Sequence, residues 1–283
     1  MGAIRGGYSV YTTTSCSRNF VVPLLLCLIC AGTICAADDS TLTKEQIKHF
    51  LLTAKVVSSK QSSKGVTHPW RLTLSDGTIT HDASFQSVNE HKNNVQFESG
   101  RNELTFVDSY KYNVAAYSLA ELLEVDDMLP VYVERSWRGD PGSLSWWLPV
   151  KMDEDERVKQ KIAIPDQDAW NKQMYQIRVF DQLIADTDPN LTNVLIGQDW
   201  HIWRIDFTRA FRADKNLKNP ADLVRCDRRL LEKLKALDEK QVTEHTKAYL
   251  NKNEIKAVMA RRDRIVERFD KLIAEKGESE VLY

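Results

Sequence analysis

Two short stretches decide the fold of this chain: Asp186-Thr187-Asp188-Pro189-Asn190-Leu191-Thr192-Asn193-Val194-Leu195-Ile196 and, after a predicted hairpin, Ile205-Asp206-Phe207-Thr208. Asp188 and Asn193 share a proline-containing loop, and Asp206 follows the hairpin. A carboxylate can orient or deprotonate a hydroxyl group. An amide oxygen and a second carboxylate can hold a magnesium ion against phosphate oxygens. The spacing of Asp188, Asn193 and Asp206 therefore suggests a metal-phosphate site.

Length and charge limit the classes of protein to consider. The 283 residues suffice for one large domain or for two lobes, and the formal net charge is −1. A chain so close to neutral gives no electrostatic reason to expect a nucleic-acid partner. The basic segment Arg261-Arg262-Asp263-Arg264 has a helical pattern interleaved with an acid, and we interpret it as a solvated helix face rather than a binding patch.

The first 37 residues have the composition of a targeting signal. Arg5 and Arg18 precede an apolar run over 20–37, and Cys35-Ala36-Ala37 offers small residues for cleavage. We expect the mature protein to begin near Asp38, to have no stable membrane span, and to work outside the cytoplasm, in a periplasm or secreted. A retained membrane anchor is the alternative.

Cysteine usage predicts neither an internal disulfide nor a cysteine metal site. Beyond the first 37 residues the sequence contains one cysteine, Cys226, on a predicted helix. We expect it to be a small buried apolar group rather than a nucleophile.

The N-terminal part is predicted to be strand-rich. Thr43 could cap a helix over 42–54, and Asp108 or Ser109 a second helix ending near residue 123. Alternating apolar residues predict strands at 70–74, 78–85, 129–133 and 144–150. The polar stretch 87–105 shows no periodicity and is predicted to be a loop. The loop 58–67, which contains Gly65, could cover phosphates with its backbone N–H groups, although an ordinary surface loop fits equally well.

The C-terminal part is predicted to be helical. The charged stretch 151–164 is interpreted as a linker between lobes 38–151 and 152–283. A long helix over 166–186 leads into the acidic loop. Asn219 and Pro220 are predicted to begin a helix to about residue 237, and two more helices follow at 239–250 and 254–275.

The order of these elements and the loop motif together resemble the protein-kinase-like superfamily. Asp188, Asn193 and Asp206 are spaced like its catalytic loop and metal-binding aspartate. The segment that enters the catalytic loop of HipA-like kinases resembles this sequence at Phe180-Asp181-Gln182-Leu183-Ile184-Ala185-Asp186-Thr187-Asp188. The same segment is also similar in phosphatidylinositol 4-kinases and in secretory-pathway kinases related to Golgi casein kinase. The stretches Val114-Ala115-Ala116-Tyr117, Leu122-Leu123 and Leu129-Pro130 also resemble that group.

The resemblance implies an α+β, two-lobed protein-kinase-like fold with a small antiparallel-sheet N-lobe and a mostly helical C-lobe. It also implies ATP and Mg²⁺ or Mn²⁺ as cofactors. Asp188 would be the catalytic base or hydroxyl-orienting group, while Asn193 and Asp206 would hold the metal. The segment 148–151 would meet the adenine through its backbone, and the loop containing Gly65 would cover the phosphates.

The sequence departs from the kinase pattern in the N-lobe. The third strand has no lysine for the phosphates, and Asn113 stands where the helix glutamate is expected. Lys111 is our preferred substitute for that cation and Lys55 is the second candidate. Around Asp206, three arginines could contact phosphate or pair with surface acids: Arg204, Arg209 and Arg212.

Two functions therefore remain open. The first is an exported kinase-like phosphotransferase that moves the γ-phosphate of ATP to a hydroxyl of a protein, sugar or lipid. The second is a catalytically inactive kinase-fold binding or interaction protein.

Overall fold

The computed structural model describes residues 42–62, 69–96, 102–188 and 190–283. The predicted targeting segment 1–37, Gly65 and Pro189 lie outside the described residues. The described part has the predicted α+β architecture, an antiparallel sheet near its N-terminus and a mostly helical C-terminal portion.

The helices and strands of the described residues are numbered in chain order. The described helices are α1 (Lys44–Thr53), α2 (Lys111–Leu123), α3 (Glu154–Gln160), α4 (Gln167–Ile184), α5 (Arg228–Ala236), α6 (Glu239–Thr246), α7 (Lys252–Lys276) and α8 (Glu278–Val281). The described strands are β1 (Lys55–Gln61), β2 (Trp70–Ser75), β3 (Thr80–Gln86), β4 (Asn89–Gln96), β5 (Asn102–Ser109), β6 (Tyr132–Trp137), β7 (Asp140–Trp146), β8 (Val150–Asp153), β9 (Val194–Gly197) and β10 (Ile202–Arg204).

The main sheet has five antiparallel strands in the order β1-β2-β3-β7-β6. Because side chains alternate between the faces of a strand, Leu72 and Leu74 are buried while Thr73 lies on the opposite, polar face. The apolar face packs against the helices, and the Phe50 ring of α1 meets Trp146 of β7 edge-on with centroids 5.7 Å apart. Thr43 caps α1 as predicted, since its hydroxyl accepts the Gln46 N–H.

The stretch 87–105 is not a loop, as the sequence suggested, but contains most of the β4–β5 hairpin. The hairpin stands apart from the main sheet, so it lacks the alternation of a half-buried strand. Lys92 of β4 is exposed while its cross-strand partner Phe106 is buried. Because β5 continues through Ser109, neither Asp108 nor Ser109 caps α2. Tyr110 occupies the cap position, and its side chain makes no capping hydrogen bond to the helix.

The charged stretch 151–164 is also ordered rather than a solvated linker. It contributes β8, which pairs with β9, and then α3. Asp153 caps α3 by accepting the Glu156 N–H at 2.8 Å, and the buried Glu154 carboxylate pairs with Arg157 at 2.6 Å. The acidic residues interpreted as a solvated linker therefore form the first turn of α3, where the helix dipole favours carboxylates.

The helices of the C-terminal portion differ from prediction at two places. Pro220 begins a short 3₁₀ turn, and α5 starts later, capped by Asp227, whose side chain accepts the Leu230 N–H. Arg261 is not on a solvated face. It is fully buried on α7 and donates to the carbonyl oxygens of Leu183 and Arg212 at 2.8 and 2.9 Å.

Cys226 is fully buried, as expected, and burial raises the pKa of its thiol. Its backbone N–H donates to the Val281 carbonyl at 2.9 Å, which joins the start of α5 to the end of α8. Within the described residues, no helix combines the length and the apolar character needed to cross a membrane.

Candidate active site

Helix α4 positions the acidic loop 186–193 that follows it. The helix ends at Ile184, and its C-cap residue Ala185 adopts a left-handed conformation with φ of 51°, which turns the chain away from the helix axis. Asp186 is buried directly after it. One oxygen of its carboxylate accepts the Asp188 N–H at 3.0 Å, and the other forms an ion pair with Arg204. Asp186 therefore fixes the backbone of the loop that presents Asp188.

Arg204, at the end of β10, joins the loop to the strand that precedes Asp206. Only 1% of its side chain is exposed. Its guanidinium donates to the carbonyl oxygens of Asp188 (3.3 Å), Asn193 (3.4 Å) and Ile205 (2.5 Å). Arg204 is therefore not the surface arginine that the sequence allowed. It donates to the backbone of Asp188 and Asn193 and to the carbonyl of Ile205, the residue before Asp206.

Asp206 stands in an unusual conformation directly after β10. Its φ is 61°, in the left-handed region that non-glycine residues rarely adopt. The Thr208 hydroxyl donates to its carboxylate at 3.1 Å. Burial is the main cause that raises the pKa of Asp206, the Thr208 hydrogen bond opposes it, and the charge of Asp108 adds to it. Such a carboxylate gains from a nearby cation.

Asp108, at the end of β5, is the site residue that the sequence did not identify. Burial is the main cause that raises the pKa of Asp108, the Thr208 side chain lowers it, and nearby negative charges that include Asp188 raise it further. One of its oxygens is buried without a hydrogen-bond partner among the described residues. The Ser109 N–H also donates to the Thr208 carbonyl at 2.8 Å. Asp108 thus links Asp188 and Asp206 electrostatically. It was missed because its hairpin resembled a loop.

Comparison with known proteins gives the fold. No protein-family model and no curated protein matches the chain. Solved structures match it at low identity. The structure of hydra Fam20 with sugar has a TM-score of 0.62 and 13% identity, over 87% of this chain and 93% of that chain. The Helicobacter pylori proinflammatory kinase CtkA has a TM-score of 0.50 and 8% identity, over 80% of this chain and 98% of that chain.

The chain has an atypical protein-kinase-like fold. In this chain the main sheet lies in the N-terminal part, and α4 and the helices after it form the C-terminal part. At these identities the likeness shows the fold alone, so the chemistry has to be argued from the residues themselves.

Asn193 and Asp206 offer oxygen atoms of the kind that bind a hard divalent cation. Asp206 offers a carboxylate and Asn193 an amide oxygen, which are ligand types that Mg²⁺ and Mn²⁺ accept. Among the described residues, no side chain hydrogen-bonds to the side chains of Asp188 or Asn193. No group of three His, Cys, Asp or Glu residues within the described ranges could hold a metal on its own. The amide and the nucleotide phosphates would therefore have to supply the remaining ligands.

Lys55 and Lys111, the two cations suggested from the sequence, make no hydrogen bond or ion pair to Asp188, Asn193 or Asp206 among the described contacts. Lys55 is exposed at the start of β1, and its backbone pairs with Ser75. Lys111 is the first residue of α2 and partly exposed. Neither lysine makes a hydrogen bond or ion pair to the loop residues in the described part of the chain. Their assignment as phosphate ligands, like that of Gly65, stays a prediction.

Two neutral amides join β3 to α2. Gln86 ends β3, and Asn113 lies in the first turn of α2. The Asn113 Nδ2 group donates to the Gln86 Oε1 atom at 2.6 Å. Strand and helix are therefore joined by a hydrogen bond between two uncharged side chains.

A cavity of about 480 Å³ lies beside the segment proposed to meet the adenine. Leu148, Pro149 and Val150 line one side, and the polar faces of β2 and β3 the other. There Arg71 pairs with Asp82, and its guanidinium lies 4.2 Å from the Trp147 ring centroid. A larger groove of about 640 Å³ between α5 and α7 contains none of the proposed site residues.

Proposed function

We propose that this chain is a kinase-like phosphotransferase that moves the γ-phosphate of ATP to a hydroxyl of a protein, sugar or lipid, with Mg²⁺ or Mn²⁺. The observation that carries the proposal is the position of Arg204. Its buried guanidinium binds the backbone at Asp188, at Asn193 and beside Asp206. A fixed backbone for this loop supports the proposal, because phosphoryl transfer depends mainly on the positioning of the reacting groups.

Each residue has a distinct role in the proposed reaction. The Asp188 carboxylate orients the acceptor hydroxyl and takes its proton as the oxygen attacks the γ-phosphorus and the bond to the β–γ bridging oxygen breaks. Asn193 and Asp206 hold the divalent ion, which when bound neutralises charge on the phosphate oxygens. Thr208 orients Asp206 by donating to its carboxylate.

The nucleotide lies, in this proposal, between the sheet and the segment 148–151. The cavity of about 480 Å³ is large enough for a base and its sugar. The backbone of 148–151 meets the adenine, while the loop containing Gly65 covers the phosphates. Lys111, or else Lys55, supplies the cation. We further propose lobes at 38–151 and 152–283, and export to a periplasm or the exterior directed by residues 1–37.

One observation favours the second candidate, a catalytically inactive kinase-fold binding protein. The Gln86–Asn113 amide pair replaces a charged pair with a neutral one, so no lysine stands at that strand position. Phosphate binding without a fixed cation is weaker, since charge-assisted hydrogen bonds are about twice as strong as neutral ones.

Thermal unfolding with ATP and Mg²⁺ or Mn²⁺ tests the nucleotide site. A ligand present at about 100 times its dissociation constant should raise the free energy of unfolding by about 2.7 kcal/mol. We expect Asp206→Ala to abolish that gain, while Asp222→Ala, a change at an exposed residue, keeps it. Absence of any gain with either metal contradicts the nucleotide site, and a gain that survives Asp206→Ala moves the metal elsewhere.

Transfer of labelled γ-phosphate separates the enzyme from the binding protein. Asp188→Asn should retain nucleotide binding and lose transfer by at least about 100-fold, because a positioned base contributes about 10²–10⁴. Nucleotide binding by the wild type without transfer to water or to any protein, sugar or lipid hydroxyl would support the inactive binding protein.

A further inference from the structure

The Asn113 side chain is completely buried and joins three elements. Its Oδ1 atom accepts the backbone N–H of Phe207 at 2.8 Å. Its Nδ2 group donates to Gln86 Oε1 at 2.6 Å and to the Ser143 hydroxyl at 3.0 Å. Both amide protons and the oxygen therefore have partners, on β3, on β7 and in the loop that carries Asp206. A buried amide with every group paired specifies one arrangement of its neighbours.

The bond to Phe207 falls where the backbone needs support. Phe207 follows Asp206, whose φ of 61° is costly for a residue with a side chain and persists only if the surroundings impose it. The Phe207 ring itself packs edge-on against Phe180 of α4, with centroids 6.0 Å apart. Asn113 thus holds the peptide that links the strained residue to its buried aromatic neighbour.

We infer that Asn113 is the positioning residue for Asp206, and that the Gln86–Asn113 pair holds this loop against the sheet without charge. The consequence for nucleotide binding rests on the proposed function, but the structural claim does not. Amides do not titrate in the physiological range, so the hold on Asp206 is the same with or without bound phosphate. The pair positions the metal ligand and supplies no cation.

Hydrogen exchange of the Phe207 amide tests the structural claim without any ligand. Asn113→Leu removes the acceptor at similar volume, and Leu272→Ala, in the core of α7, is the control for general loss of stability. We expect exchange at Phe207 to accelerate at least tenfold in Asn113→Leu relative to the control. Asn113→Asp, which keeps an acceptor oxygen, should restore part of the protection. Equal exchange in Asn113→Leu and Leu272→Ala would overturn the inference.

Binding of Mn²⁺·ATP tests the consequence. The dissociation constant should rise at least tenfold in Asn113→Leu, stay unchanged in Leu272→Ala and recover in part in Asn113→Asp. If the wild type binds no Mn²⁺·ATP, the proposed function fails while the exchange experiment still decides the role of Asn113. Unchanged affinity in a folded Asn113→Leu protein would refute the positioning role.

A charge-restoring double variant tests the pair itself. Gln86→Lys and Asn113→Glu each place an unpaired charge at this contact and should raise the unfolding equilibrium constant strongly. The double variant pairs the two charges, so its unfolding equilibrium constant should rise at least tenfold less than the product of the two single-variant effects. Purely multiplicative effects would show that the two side chains are not partners, and would overturn the amide pair.

Discussion

At the scale of single residues, the buried guanidinium of Arg204 faces more negative charge than it can neutralise. Asp186 forms a direct ion pair with it, and Asp181 lies 3.5 Å from its Nε atom. Burial raises the pKa of Asp181 to about 6, the positive charge of Arg204 lowers it, and Asp186 raises it again. Arg204 is therefore the cation that both carboxylates share, and its interaction with Asp181 is longer than its ion pair with Asp186.

Removal of Arg204 should be among the most damaging single changes. Arg204→Met would leave two carboxylates without their cation, which costs about 3–5 kcal/mol for a buried pair. Chemical denaturation measures the loss. Arg228→Met is the matched control, because its ion pair with Glu278 is exposed and exposed pairs contribute about 0–1 kcal/mol. Equal losses in the two variants would contradict the internal role of Arg204.

Asp181 should give the stability a distinct pH dependence. An unfolded aspartate has a pKa near 3.8, and this one has a folded pKa of about 6, so the folded state binds the extra proton between those values. Stability from this group therefore falls as the pH rises through that window. Between pH 7 and pH 5 the wild type should gain about 1 kcal/mol relative to Asp181→Asn. Parallel curves for the two proteins from denaturation at each pH would contradict the raised pKa.

The sequence suggested Asp188, Asn193 and Asp206 as site residues because their spacing is local, and that assignment stays a prediction. The sequence did not indicate which side chains hold the backbone of this loop. Arg204 was interpreted as a phosphate or surface arginine, because a guanidinium next to an acid looks the same in sequence whether it faces inward or outward. Asp108 and Asn113 reach the site through long-range packing, which no local spacing encodes.

At the scale of elements, α4 needs support at the end that enters the acidic loop. Carbonyl groups at a helix C-terminus lack partners within the helix and attract cations. Arg261 of α7 donates to the Leu183 carbonyl there, and burial lowers its pKa to about 10. The long C-terminal helix therefore stabilises the loop without contacting its side chains.

Loss of the Arg261 guanidinium should weaken this junction. Arg261→Met keeps much of the volume but leaves the carbonyls of Leu183, Arg212 and Asp214 unpaired, for a cost of about 2–3 kcal/mol. Arg264→Met on the exposed side of α7 should stay within about 0.5 kcal/mol of the wild type. Denaturant midpoints compare the two, and a loss confined to Arg264→Met would reverse our assignment.

Elements with strong apolar periodicity were predicted well, and elements without it were not. Helices α1 and α4 lie close to their predicted ranges, and so do strands β2 and β3. The β4–β5 hairpin and α3 were missed because no apolar stripe marks them: the described side chains of β4 and most of those of α3 are wholly or partly exposed.

At the scale of the whole molecule, side-chain bonds join the sheet portion to the helical portion. The Tyr112 hydroxyl of α2 donates to Glu254 of α7 at 2.6 Å, and burial is the main cause that raises the pKa of this tyrosine. His201, in the β9–β10 turn, lies 2.9 Å from the Asp127 carbonyl. Together with the Asn113–Phe207 bond, these contacts help to join the two portions.

Tyr112→Phe should loosen that relation measurably. The lost bond ends on a carboxylate, so we expect a decrease of about 1–2 kcal/mol in the free energy of unfolding. Glu254 keeps its second role, since it still accepts the Asn251 N–H at the start of α7. Tyr175→Phe, which loses no hydrogen bond in the described part of the chain, is the control. An unchanged midpoint for Tyr112→Phe would show that this bond adds nothing to the joining of the two portions.

The overall architecture was predictable because most strands of the described chain precede residue 150 and most helices follow it. The amide pair at Gln86 and Asn113 was only half visible. The sequence shows that the lysine and glutamate expected from the resemblance are missing. The hydrogen bond between Asn113 and Gln86 depends on how α2 packs across β3.

The burial of Cys226 bears on how this molecule can be labelled for spectroscopy. In a chain that starts at Asp38, Cys226 is the sole native thiol, and it is fully shielded with a raised pKa. A maleimide dye or nitroxide would then react with a cysteine introduced at an exposed position and spare the native one. Pairs of such probes on α3 and β1 could follow distances between the two portions without replacing a core residue.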